Sequence, residues 1–107
     1  MDLVTTFRGL DRNQSGVANR AIERASSKVD RLLDGPTTLR VVVDNADGPE
    51  VRVILSMTMR GSDLTSDASG HDINAVVAGA FDKLRSQLVR VRHRRESQRH
   101  KAVARVG

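Results

Sequence analysis

Residues 72–101 read DINAVVAGAFDKLRSQLVRVRHRRESQRHK, and the fold turns on how this stretch is understood. Ile73, Val77, Ala80, Leu84, Leu88 and Val91 recur at helical spacing and make one apolar stripe, which predicts a helix packed on a core and capped by Asp72. Its second half keeps the helical register but is dominated by Arg90, Arg92, Arg94, Arg95, Arg99 and Lys101. A helix from Asp72 to Arg99 would span about 42 Å, whereas a strand of about seven residues spans about 23 Å. The helix outruns any sheet it covers, so its far end must meet solvent or a partner.

Upstream, TLRVVVDN (38–45) and EVRVILSMTM (50–59) are β-branched runs joined by ADGP (46–49), residues that turns require, and they predict an antiparallel hairpin. GSDLTSDAS (61–69) reads as a weaker strand with Leu64, Ser66 and Ala68 inward. At the start, LVTTFRG (3–9) places Leu3, Thr5 and Phe7 on one face of a short strand ended by Gly9. LDRNQSG (10–16) reads as a polar loop. Ser15 is the expected N-cap of a helix from about Gly16 to Asp34, with Ala18, Ile22, Ala25, Val29 and Leu32 as its stripe, stopped by Gly35 and Pro36. The order β-α-β-β-β-α, with a right-handed crossover between the first two strands, predicts an α+β two-layer sandwich with two parallel helices on one face of a four-stranded sheet.

The 107 residues suffice for one domain and one core. There is no cysteine, which excludes a disulfide framework, a zinc knuckle and a thiol nucleophile. No stretch approaches the ~20 apolar residues of a membrane span and no signal-peptide pattern is present, so a cytoplasmic location and no membrane partner are expected.

Charge is unevenly distributed. Residues 1–82 hold 9 basic and 12 acidic side chains, net −3, while residues 83–107 hold 9 basic and one acidic, net +8. A near-neutral body with a cationic end points to a polyanion; for AVARVG (102–107) a plain solvated tail explains the composition equally well. On the first helix Arg20, Arg24, Lys28 and Arg31 fall on one flank and Glu23, Asp30 and Asp34 on another. On the last, Lys83, Arg90, Arg94 and Lys101 form a stripe on one side of the apolar seam, with Arg85, Arg92, Arg95 and Arg99 on the other. With the helices side by side, the Arg20–Arg31 flank and the Lys83–Arg94 stripe are expected to join into one basic surface. Arginine suits phosphate, which its planar fork bonds in bidentate fashion. With no Trp or Tyr, and with Phe7 and Phe81 needed in the core, base stacking is nearly excluded. Recognition should rest on phosphate, sugar and shape, as for structured RNA.

Other chemistry finds little support. His71, His93 and His100 lack metal-ligand spacing. Asp63, Asp67 and Asp72 are accounted for by turns and caps, and Gly61 and Gly70 are isolated turn glycines outside any phosphate loop. No enzyme, cofactor or metal is expected.

The element order, ERASSKVDRLLD (23–34), the hairpin and above all GHDINAVVAGAFDKLRSQLVRVRHR (70–94) resemble the ribosome hibernation promoting factors, also called ribosome-associated inhibitor A or sigma-modulation proteins. The resemblance covers about Leu3 to Arg94 and rests on a helix signature matched by Asp72, Ile73, Ala75, Val76, Val77, Asp82, Lys83, Leu84, Gln87 and Leu88. It implies a double-stranded-RNA-binding-like domain over residues 1–94, with a basic extension over 95–107. It also implies binding to small-subunit rRNA and ribosomal proteins across the mRNA channel and decoding region, in competition with mRNA and tRNA, so that translation is inhibited and the ribosome stored. By matching position it assigns rRNA contacts to Lys28, Lys83, Gln87, Arg90 and Arg94. Arg20, Arg24 and Arg31 join them from the charge map. Asn74 stands where the family usually has tyrosine, Ser86 where a basic residue is common, and Arg12 and Gln14 where the loop is usually apolar. The chain resembles the short form, expected to be monomeric when free. A different class of function, a stand-alone module that regulates a protein such as a sigma factor or binds structured RNA generally, is the alternative reading.

Overall fold

The structure, a computed structural model, describes residues 1–45, 48–59 and 62–106, with side chains described at all of these except 62 and 94–106. Its elements are β1 (Asp2–Arg8), α1 (Arg12–Asp30), β2 (Thr38–Asp44), β3 (Val51–Met59), β4 (Ser62–Gly70) and α2 (Ile73–Val106). The sheet order is β1-β2-β3-β4, with β1 parallel to β2 and the other two pairings antiparallel. This is the expected β-α-β-β-β-α sandwich.

Alternation along the strands builds the core. Leu39, Val41 and Val43 pair in register with Met57, Leu55 and Val53, and all six are buried. Val76, Val77, Ala80, Phe81, Leu84 and Leu88 from α2, and Ala18, Ala21, Ile22 and Val29 from α1, close over them. The α2 seam is therefore wider than the stripe read from sequence, taking in Val76 and Phe81, with Ile73 half-buried at one end and Val91 at the other.

β4 is poor in β-formers, and a polar residue occupies its central inward position. Ser66 is buried, and its hydroxyl donates to the carbonyl of Ala80 at 2.9 Å, so the polar atom has a partner inside the core. Leu64 and Ala68 flank it inward, as expected. Gly79 runs close over this strand; a Cβ there would sit 3.7 Å from Cβ of Ala68. Gly9, at φ 66°, supplies the left-handed turn that releases the chain from β1.

The first helix differs from expectation at both ends. It starts at Arg12, not Gly16, because Asp11 and Gln14 form a reciprocal capping box. The Gln14 N–H donates to Asp11 Oδ1 at 2.7 Å, and the Asp11 N–H donates to Gln14 Oε1 at 3.0 Å. Two otherwise orphaned donors are satisfied at once, which Ser15 alone does not achieve. The helix ends at Asp30, where the N–H groups of Leu32 and Leu33 turn back to the carbonyls of Val29 and Asp30. Asp72 does cap α2: its carboxylate accepts from the Asn74 N–H at 3.1 Å and its carbonyl from the Val76 N–H at 2.9 Å.

The overrun of α2 is confirmed. Its 34 residues correspond to about 51 Å, against about 30 Å for the nine-residue strands β3 and β4. Among the described side chains of α2 the last buried one is Leu88. The molecule measures 60 × 21 × 19 Å. No helix among the described residues is long and apolar enough to cross a membrane.

Candidate nucleic-acid interface

On α1, a residue's distance from the apolar stripe fixes which way it faces. Arg20, Arg24, Lys28 and Arg31 are all exposed. Arg24 and Lys28 stand at a groove between the two helices whose floor is Ala21, Ala25, Val29, Ala78 and Phe81. Across it, α2 contributes Asn74, Asp82 and Arg85. Arg20 and Arg31 continue the same flank of α1, one turn before Arg24 and after Lys28.

The expected union of this flank with the Lys83 stripe is not what the structure contains. The seam through Val77, Leu84 and Leu88 points at the sheet, so the residue after Leu84 turns toward α1 and the residues before Leu84 and Leu88 turn toward β4. Lys83 Nζ donates to the backbone carbonyl of Asp67 at 2.8 Å, and Gln87 Nε2 donates to that of Thr65 at 2.7 Å. β4 is the sheet's outer strand on this side, so both side chains lie along its free edge. Arg90, two turns beyond Lys83 and exposed, continues this second flank. The partner of Arg24 and Lys28 across the groove is thus Arg85. The helical layer carries two cationic flanks separated by the crest of α2. The side chains of Arg94, Arg95, Arg99, His100 and Lys101 lie outside those described.

Asp67 also serves the sheet's uncovered face, where its carboxylate is bridged by Arg52 at 3.1 Å with both side chains largely exposed. Such a surface pair contributes ~0–1 kcal/mol. Asp72 is a helix cap, as expected, whereas Asp63 and Asp67 lie within β4 and not in a turn, with Asp67 tied to a cross-strand ion pair. Three polar groove residues were not singled out as site residues from sequence. Arg85 carried a usable signal, its place on the far side of the seam from Lys83; Asn74 and Asp82 carried none beyond helical spacing.

An α+β sandwich with most of its described cationic side chains on the helical layer is the setting for the comparisons. Residues 6–96 match the model of the family described as Sigma 54 modulation protein / S30EA ribosomal protein. The chain belongs to that family, the one its sequence resembles. Among solved structures it is similar to the N-terminal domain of Thermus thermophilus Protein Y. The TM-score is 0.72 at 21% identity, covering 85% of this chain and 99% of that one. It is also similar to a ribosomal subunit interface protein from Coxiella burnetii, with TM-score 0.63 and 16% identity over 87% of this chain and 99% of that one. At these identities the likeness speaks for the fold. A search of curated proteins finds no match.

Proposed function

We propose that this protein is a ribosome-binding translation inhibitor, a hibernation factor that occupies the mRNA channel and decoding region of the small subunit and excludes mRNA and tRNA. The observation that carries this reading is the cationic rim of the interhelical groove, Arg24 and Lys28 facing Arg85, within a domain of this family. An rRNA backbone laid along the helical layer would meet Arg20, Arg24, Lys28, Arg31 and Arg85 on one side of the crest and Arg90 on the other, with Arg94 joining them by the family resemblance. Lys83 and Gln87 hold β4 through one N–H each and keep further donors for phosphate or sugar oxygens. The reading needs no cofactor, metal or covalent step, and it implies a cytoplasmic protein.

Co-sedimentation with purified small subunits tests it. The chain should co-migrate with subunits, and a variant with Arg24, Lys28, Arg85 and Arg90 replaced by alanine should remain at the top of the gradient with its melting temperature little changed. Prebound mRNA should slow association. Absence of co-migration by the unaltered chain would favour the regulator or general RNA-binder reading instead.

A further inference from the structure

The two edges of the sheet are treated differently. The β4 edge is held by Lys83 and Gln87, whereas β1 pairs with β2 alone. The Asp2 N–H and the Arg8 carbonyl bond toward β2. Backbone groups alternate sides along a strand, so the N–H and C=O groups of Leu3, Thr5 and Phe7 point outward from the sheet. The same strand and the residue before it expose apolar surface: Met1, Leu3 and Val4 are 38%, 39% and 49% exposed. An outer strand whose outward backbone groups pair with no other strand among the described residues, and which carries apolar side chains, is a template for another strand.

The sequence of β1 says which strand. In DLVTTFR, antiparallel pairing of β1 with a second β1 about a two-fold axis at Thr5 sets Asp2 against Arg8, Leu3 against Phe7 and Val4 against Thr6, and repeats each pair by symmetry. Leu3, Thr5 and Phe7 then exchange their outward groups with the second copy. α1 has matching symmetry. On the flank away from the groove, Arg12, Asn19, Glu23 and Asp30 are exposed in that order. Asp30 lies at the start of β1, 3.7 Å from the Met1 amine, and Arg12 follows closely on the strand's end at Arg8. An antiparallel second copy therefore brings an Asp2/Asp30 end to an Arg8/Arg12 end, twice. We propose that the protein self-associates through β1 into a two-fold dimer with a continuous eight-stranded sheet, in place of the monomer expected from sequence. The interface lies on the side of α1 opposite the groove, so it is independent of the ribosome reading.

Sedimentation equilibrium of the full chain over a wide concentration range tests this, with mass expected to rise from one chain toward two. Thr5→Pro removes an outward N–H while leaving the ladder to β2 intact, and should hold the mass at one chain. Either Asp2→Arg or Arg8→Asp should weaken association roughly tenfold, since favourable cross-strand pairs become repulsive at two places, and the two together should restore it. Because the chain has no native cysteine, Thr5→Cys supplies a register probe: the two-fold pair sets the Cα atoms about 5.5 Å apart, within disulfide reach. Oxidation should cross-link that variant and leave Leu3→Cys as single chains. A single-chain mass at every concentration, or a dimer that the double charge swap does not restore, overturns the proposal. If Thr5→Pro fails to fold, the charge swap and the cross-link decide. The variant lacking Arg24, Lys28, Arg85 and Arg90 should dimerise normally.

Discussion

Lys83 reaches from α2 to the Asp67 carbonyl on the outer edge of β4, with Nζ 2.8 Å from the oxygen. One helical turn on, Gln87 repeats the arrangement at Thr65, so α2 closes with side chains an edge that the sheet leaves without a strand. Replacing both by alanine should lower stability by about 1–2 kcal/mol, given ~0.5–1.5 kcal/mol per hydrogen bond and the exposure of these two. Thermal denaturation should show a lower midpoint, and the double variant should aggregate more readily on heating than either single one.

The position of the α1 cap yields a direct comparison. Asp11→Ala removes the oxygen that accepts the Gln14 N–H and should cost about 1 kcal/mol. Ser15→Ala should change stability by less than about 0.5 kcal/mol. Urea unfolding of the two variants separates a helix that begins at Arg12 from one that begins at Gly16.

Beneath α2 there is little room. Ala80 is fully buried and its carbonyl receives the Ser66 hydroxyl. Ala80→Leu should destabilise by ~1–3 kcal/mol through overpacking, and Ser66→Ala by about 1 kcal/mol through removal of the hydrogen bond. Guanidinium unfolding with an unchanged slope would confirm that the folded and unfolded states are otherwise preserved.

Among the described side chains the apolar seam of α2 ends at Leu88 and Val91, so on the proposed function the overrunning end is expected to bear on affinity more than on folding. A chain truncated after Val91 should fold. Its affinity for small subunits should fall, and the dependence of log affinity on log salt should become shallower by roughly 0.7–0.9 for each phosphate the arginine end would otherwise neutralise. A salt series on the truncated and full chains measures this; an unchanged slope would make the arginine end a solubilising tail.

Much of the fold was legible because periodicity and turn chemistry agreed: the hairpin, the α2 seam and even the weak β4 came from spacing alone. The start of α1 was misread because DRNQS looks like a loop by composition; only the pairing of Asp11 with Gln14 three residues later marks it as a first turn. For the site, helical spacing separated the charges on α2 into two flanks but did not say which flank faced α1. That depends on which strands lie under α2, a property of tertiary packing. Hence Lys83, not Arg85, was expected across from Lys28, and the tie of Lys83 and Gln87 to backbone carbonyls could not be foreseen from residue types that suit phosphate equally well.

A sheet closed by side chains at β4 and bare at β1 has a valence of one. At β4 the Thr65 and Asp67 carbonyls are already taken, so a strand is accepted more readily at β1, and a pair formed there is left with only these partly covered edges. On the proposed pairing, the hydrogen bonds of Lys83 and Gln87 disfavour a second strand at β4, and without them each molecule would offer two open edges, the condition for an open-ended fibre.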